Sequence, residues 1–168
     1  MSGAAEFITQ IAIQAAGNAI ADELNKPHGQ IVAFKDKSRP IIIQVNNTRD
    51  NSFRLTGFHF ESGKAFAHPS IGTHIEPGES HVFYFSNVDD GFMTGVSGWI
   101  EYVPNQFEGM ISIGFSHPWS GAVKAFTQWA WGRESYDRME NTAHQGVARG
   151  DISGVPYIII DFAQAPKY

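Results

Sequence analysis

The chain has no cysteine, few charges and no long apolar run, and each absence removes a class of protein. Without cysteine there is no disulfide framework, no thiolate metal site and no thiol nucleophile, and redox chemistry gives no clue to compartment. Charged residues are only 17% of the 168, and the formal net charge is −5, where phosphate binding along a nucleic acid would call for a basic excess; no nucleic-acid partner is expected. No run of about 18 apolar residues offers a constitutive membrane span. The first residues, Met1 to Phe7, lack the positive and leucine-rich regions of a secretory signal, so a soluble form is expected, either a cytosolic store or a secreted mature protein. No repeat or low-complexity linker interrupts the chain.

What is present is 42% hydrophobic residues, 13% aromatics and 17 glycines, the composition of a glycine-turned β protein with a sizeable core. One domain spanning 1–168 is expected. The clearest strand signal lies within Gly91–Trp131. Val96, Gly98, Ile100 and Tyr102 alternate with Ser97, Trp99, Glu101 and Val103, Pro104-Asn105 forms a turn, and Met110–Phe115 starts a second run, which makes a hairpin. Ser116-His117-Pro118-Trp119-Ser120-Gly121 breaks that run, and Phe126–Trp131 resumes extended structure, so an aromatic-flanked loop projects from one sheet end.

Upstream, Ile41–Val45 reads as a buried strand with Phe53–Phe60 as its partner, and Ser80–Phe85 as an aromatic strand. A short edge strand is expected at Gln30–Phe34. Downstream, a short charged helix near 134–143 is expected to be capped near Ser135, Arg149-Gly150-Asp151 to sit in a glycine-rich loop, and Val155–Phe162 to form a terminal strand buried on both faces. Before the β body, Glu6–Asn25 forms an amphipathic helix, its apolar arc including Ile8, Ala12, Ile13, Ala16, Ile20 and Leu24, and Gln10, Gln14, Asn18 and Asp22 lying opposite. At about 1.5 Å per residue it is roughly 28 Å long, close to a bilayer's hydrocarbon thickness. A helix packed on the sheet is the plain reading; the sparse charge also makes transfer into lipid cheap.

Catalytic signals are weak. Seven histidines include His59, His68, His74 and His81, but no metal-ligand spacing accompanies them, and no metal or cofactor is expected. Ser116-His117 has no nucleophile elbow, and neighbouring strand residues face opposite ways; no catalytic residue is assigned and an enzyme is not expected. The aromatic set Trp99, Trp119, Phe126, Trp129 and Trp131 suits a lipid interface, a sugar ring or an ammonium group where exposed, and the core where not.

The order of Ile41–Asn47 leading to Phe60-Glu61-Ser62-Gly63, then Thr94-Gly95-Val96, Phe115-Ser116-His117-Pro118-Trp119, Asp137-Arg138-Met139 and Arg149-Gly150-Asp151 resembles the actinoporins, pore-forming cytolysins. The resemblance implies a mainly β fold, a β-sandwich flanked by two α-helices, with residues 1–25 as the N-terminal helix and 30–168 as the sandwich. It implies recognition of sphingomyelin or another phosphocholine headgroup at a target cell membrane, homo-oligomerisation, and haemolytic pore formation by insertion of the first helix. Carried over by position, Ser62, Met93, Ser116 and Pro118 line the headgroup pocket with Trp119 in the adjoining loop, and Phe7, Ile8, Ile11, Ile13, Ile20 and Leu24 form the inserting face. Where the family's second helix carries headgroup-facing tyrosines, this chain has Glu140, His144 and Gln145. The competing reading is a glycan-binding lectin on the related fold of fungal fruit-body lectins, without pore formation.

Overall fold

The computed structural model describes residues 39–88, 94–106, 108–141, 148–152 and 154–165. The expected N-terminal helix with its insertion residues Phe7, Ile8, Ile11, Ile13, Ile20 and Leu24, the strand at Gln30–Phe34 and Met93 lie outside them. Two five-stranded sheets face one another, as expected of a sandwich. One contains β1 (Ile41–Asn46), β3 (Lys64–Ala67), β5 (Ser80–Ser86), β9 (Ala148–Ile152) and β10 (Val155–Asp161), in the order β3-β5-β1-β10-β9. The other contains β2 (Phe53–Ser62), β4 (His74–Ile75), β6 (Val96–Pro104), β7 (Ile111–His117) and β8 (Lys124–Trp129), in the order β4-β2-β6-β7-β8.

Period-two alternation builds the core. Ile41, Ile43 and Val45 of β1 face Val96, Ile100 and Tyr102 of β6 and Ile111, Ile113 and Phe115 of β7, all fully buried. At about 1.5–3 kcal/mol for each large apolar side chain removed from water, this layer dominates the stability of the body. Phe60, Phe85 and Phe115 pack together, with centroids 4.8 Å apart for Phe60 and Phe85 and 5.0 Å for Phe85 and Phe115.

Three expectations are corrected. Phe53–Ser62 is a strand but does not pair with Ile41–Asn46; β1 lies between β5, antiparallel, and β10, parallel, because the turn at 47–52 carries the chain across to the opposite sheet. Arg149-Gly150-Asp151 is within strand β9, paired to Ile158, Tyr157 and Pro156 of β10, and not in a loop. The terminal strand is only partly buried on its second face: Ile158 and Ile160 are inaccessible, whereas Tyr157 and Ile159 are half-buried. The chain crosses back between sheets at Gly63, which lies between β2 and β3 with φ +96°, where a Cβ would come within 2.7 Å of the Ser86 carbonyl oxygen.

The described residues contain one α-helix, α1 (Gly132–Asn141), laid on the outer face of β6, β7 and β8. It is not long or apolar enough to cross a membrane. Its start is earlier than the expected cap at Ser135: the Gly132 N–H donates to the Glu101 carboxylate of β6 at 3.0 Å, a cap supplied from a distant strand. Ser135 is instead buried inside the helix, its hydroxyl 2.6 Å from that of Ser112. Helix and sheet approach closely because β7 has glycine at 114, where a Cβ would lie 2.9 Å from the Ser135 carbonyl oxygen.

Candidate functional site

The outer face of the β2-β6-β7-β8 sheet carries an unusual row. Ser62 of β2 is opposite Ser97 of β6, Ser97 opposite Ser116 of β7, and Ser116 opposite Lys124 of β8. Directly opposed residues of antiparallel strands project from the same face, so three hydroxyls and one ammonium cross four strands in a line roughly 14 Å long at about 4.8 Å per strand. Ser62 joins the row through a bulge. Phe60 pairs with Gly98 and points to the core, the register shifts, and Ser62 then meets Ser97 on the outer face.

This row floors a depression of about 410 Å³. Its wall is the loop from Pro118 to Ala122, and the side toward α1 is closed by Glu140. Ser62, Ser116, Pro118 and Trp119, expected from the sequence as headgroup contacts, therefore line one concavity. Met93 lies outside the described residues.

The polar atoms of the row differ in how they are occupied. Ser62 Oγ donates to the Gly95 carbonyl at 3.0 Å, and the Tyr136 hydroxyl reaches Ser97 Oγ at 3.4 Å. Ser116 is only 5% exposed as a residue, but its hydroxyl keeps access to the depression and makes no hydrogen bond to a described residue. A hydroxyl open to the depression can donate to a ligand acceptor. Lys124 and Glu140 form no ion pair among the described residues.

The wall is held from the far side of the chain. Arg39 Nε donates to the carbonyls of Pro118 at 3.1 Å and Trp119 at 3.2 Å, a second guanidinium nitrogen also reaches Trp119 O, and the guanidinium carbon stacks 4.6 Å from the Trp119 ring centroid. His117 Nδ1 donates to the Pro40 carbonyl at 3.0 Å. Burial lowers the His117 pKa, the Pro40 carbonyl raises it, and the Arg39 charge lowers it. At the foot of the wall, Gly95 leaves room for the loop: a Cβ there would lie 2.5 Å from His117 O and 2.8 Å from Pro118 Cα. Trp119 remains 37% exposed on the rim, and Val88, 38% exposed, follows β5 at the same end of the sandwich.

The other sequence candidates do not assemble. His59 stacks on Trp99 at 4.3 Å and pairs with Glu61; His68, His74 and His81 meet Pro69 O, Asn105 and Tyr102 respectively. Among the described residues no three histidine, aspartate or glutamate side chains are grouped as metal ligands would be. Of the aromatic set, Trp99 packs against α1 and Trp129 against the core, while Trp131 is 66% exposed at the sheet end opposite Trp119. The tryptophans thus form no single exposed cluster.

Sequence reasoning missed Ser97, Lys124 and Arg39. The first two lie opposite Ser116 in the two hairpins that β7 forms, Ser97 on β6 and Lys124 on β8. Arg39 gave no local signal, because its partners are 79 and 80 residues away and are backbone carbonyls.

No family model matches this chain, and no curated protein matches its sequence. Among solved structures, one described as the lipid binding protein Nakanori superposes with a TM-score of 0.65 at 14% identity, over 91% of this chain and 84% of that one. A second, described as RahU protein in complex with a Tris molecule, gives a TM-score of 0.46 at 9% identity, over 73% of this chain and 93% of that one. The first likeness shows a shared fold, at an identity too low to show a family.

Proposed function

We propose that the chain is a membrane-binding protein that takes a phosphate-bearing lipid headgroup in the depression above the serine row, with Trp119 at the bilayer interface. The observation that carries this reading is the row of serine hydroxyls ending at Lys124, which floors a concavity rimmed by an exposed tryptophan. Hydroxyl and ammonium donors suit phosphate oxygens, and tryptophan suits the headgroup region of a bilayer. The solved protein that shares the fold is described as lipid binding, which supports the same class of ligand here.

The fuller reading follows the resemblance to actinoporins. After binding sphingomyelin or a related sphingolipid from solution, protomers associate on the target membrane, and residues 1–25 insert to line a pore. The chain acts by binding and assembly, without catalysis. A glycan-binding module is the rival, because a hydroxyl row beside an exposed tryptophan also suits a sugar ring.

Vesicle co-sedimentation and dye release test both, for the full chain and a form lacking residues 1–25. Binding retained by the shortened form with release abolished supports the pore-former. Binding that never leads to release, together with retention on immobilised glycans, moves the assignment to the lectin.

A further inference from the structure

The lining of the depression carries one charge of each sign. Lys124 closes the floor row on β8 beside the unbonded Ser116 hydroxyl, with Ser120 on the wall, whereas Glu140 faces the same space from α1. Among the described residues neither charged side chain has an ion-pair partner. A ligand that satisfies both charges is a zwitterion whose phosphate is near a cationic group.

The type of cation follows from what the depression offers it. A trimethylammonium group has no N–H and is held mainly by aromatic faces. Trp119 is the only aromatic residue among the described lining residues, and the Arg39 guanidinium lies over its ring at 4.6 Å. A second cation on that ring would meet an existing one. A primary ammonium has three N–H donors and is compact, and a carboxylate is its natural partner through charge-assisted hydrogen bonds. At about 410 Å³, the space is of the size that small-molecule sites occupy.

We propose that the depression selects a phosphate ester bearing a primary ammonium, the ethanolamine-phosphate headgroup, over its trimethylated counterpart, with Lys124 and Ser116 on the phosphate and Glu140 on the ammonium. This rests on the headgroup-binding reading above and specifies its ligand.

The test uses the full chain and phosphatidylcholine vesicles doped with either ceramide phosphoethanolamine or sphingomyelin, which share a ceramide and differ in the three methyl groups. Co-sedimentation is expected to favour the ethanolamine lipid by about tenfold, equivalent to about 1.4 kcal/mol. Glu140→Gln removes most of that preference while leaving circular dichroism and the unfolding midpoint unchanged, and Lys124→Ala weakens binding to both lipids. Equal or stronger binding to sphingomyelin overturns the selectivity and leaves headgroup binding standing. Binding to no vesicle by a folded chain overturns both. Calorimetry with free O-phosphoethanolamine separates the sources: tight binding of the free compound without vesicle binding assigns the site to a soluble ligand and overturns the lipid assignment.

Discussion

The two ends of the sandwich each present an arginine over a tryptophan, and the pairs do different work. At one end Arg49 stacks 5.1 Å from Trp129, donates to the carbonyls of Phe162 at 3.0 Å and Ala165 at 3.3 Å, and is buried enough to lower its pKa. Beside it the buried Asn47 side chain donates to the carbonyls of Asn51 and Ile75, both at 2.8 Å, and accepts from the Arg49 N–H at 3.0 Å. Thr48 accepts from the Ala163 N–H at 2.8 Å. Turn, edge strand and C-terminal segment are thereby tied into one closed end. At the other end Arg39 and Trp119 form the same pair at the surface, holding up the wall of an open depression whose floor hydroxyl Ser116 is unbonded. The first end is fastened by side chain–backbone bonds, although Asn51 Nδ2 is buried there without a hydrogen-bond partner; the second leaves a cavity that a ligand can enter.

The largest effect is expected at the closed end. Asn47→Ala leaves two carbonyls and one N–H without their partner in a partly buried turn, and is expected to cost about 3 kcal/mol in urea unfolding. Vesicle binding per folded molecule is expected to persist. Loss of binding in step with stability would show that the two ends are not separable.

Gly95→Ala makes the converse test. Its Cβ would press against the backbone of His117 and Pro118, so the wall must shift, at a cost of about 1–3 kcal/mol. Here vesicle binding is expected to fall more than stability does. A variant that binds normally would mean that the wall does not take part.

The contrast between ends was only half visible in the sequence. The strands were legible because alternation writes one face at a time: Val96–Pro104 and Ile111–His117 appear as the hairpin that their spacing requires. Sheet membership was not, since adjacent runs suggest pairing and the turn at 47–52 instead changes sheets. Ser62 shows the limit most clearly. Strict alternation after Phe60 would turn it to the core, and only the bulge brings it to Ser97; its place at the site came from resemblance, not from periodicity. The start of α1 was hidden for a related reason, because its cap is Glu101, 31 residues earlier, whereas Ser135 looked like a local one. Glu140 stood out only as a departure from a family pattern, and its sharing of a depression with Lys124 depends on how α1 lies on the sheet.

Arg39→Ala sharpens the comparison between the two arginines at smaller cost. It removes the fork to the Pro118 and Trp119 carbonyls and the stack on Trp119, an exposed set expected to contribute about 1 kcal/mol or less to stability. Trp119 emission is expected to shift to the red as the ring gains water, and vesicle binding to weaken several-fold. Arg39→Lys keeps the charge without the fork; if it restores binding fully, charge and not wall geometry is what Arg39 supplies.

The smallest effect is acid sensitivity, in which each end holds a histidine whose pKa burial lowers. At the closed end His81 Nδ1 lies 2.8 Å from the Tyr102 hydroxyl. Burial lowers the His81 pKa, opposed by a backbone bond with His74 and the charge of Glu79, and burial holds Tyr102 well above its usual value, so a neutral ring accepts from a phenol. His117 at the open end is lowered as well, first by burial. A histidine with a folded pKa below its unfolded one takes up protons more readily when unfolded, so its contribution is complete above about pH 6.5 and is lost as pH falls through the lower folded value. The urea midpoint is therefore expected to be level from pH 8 to about 7 and to decline toward pH 5. His81→Gln, which keeps an acceptor for Tyr102, is expected to flatten part of that decline with vesicle binding unaltered. His117→Gln is expected to flatten another part and to alter binding, because His117 anchors the wall to Pro40. A double variant that declines as steeply as the parent would place the acid sensitivity on carboxylates and remove the histidines from the comparison.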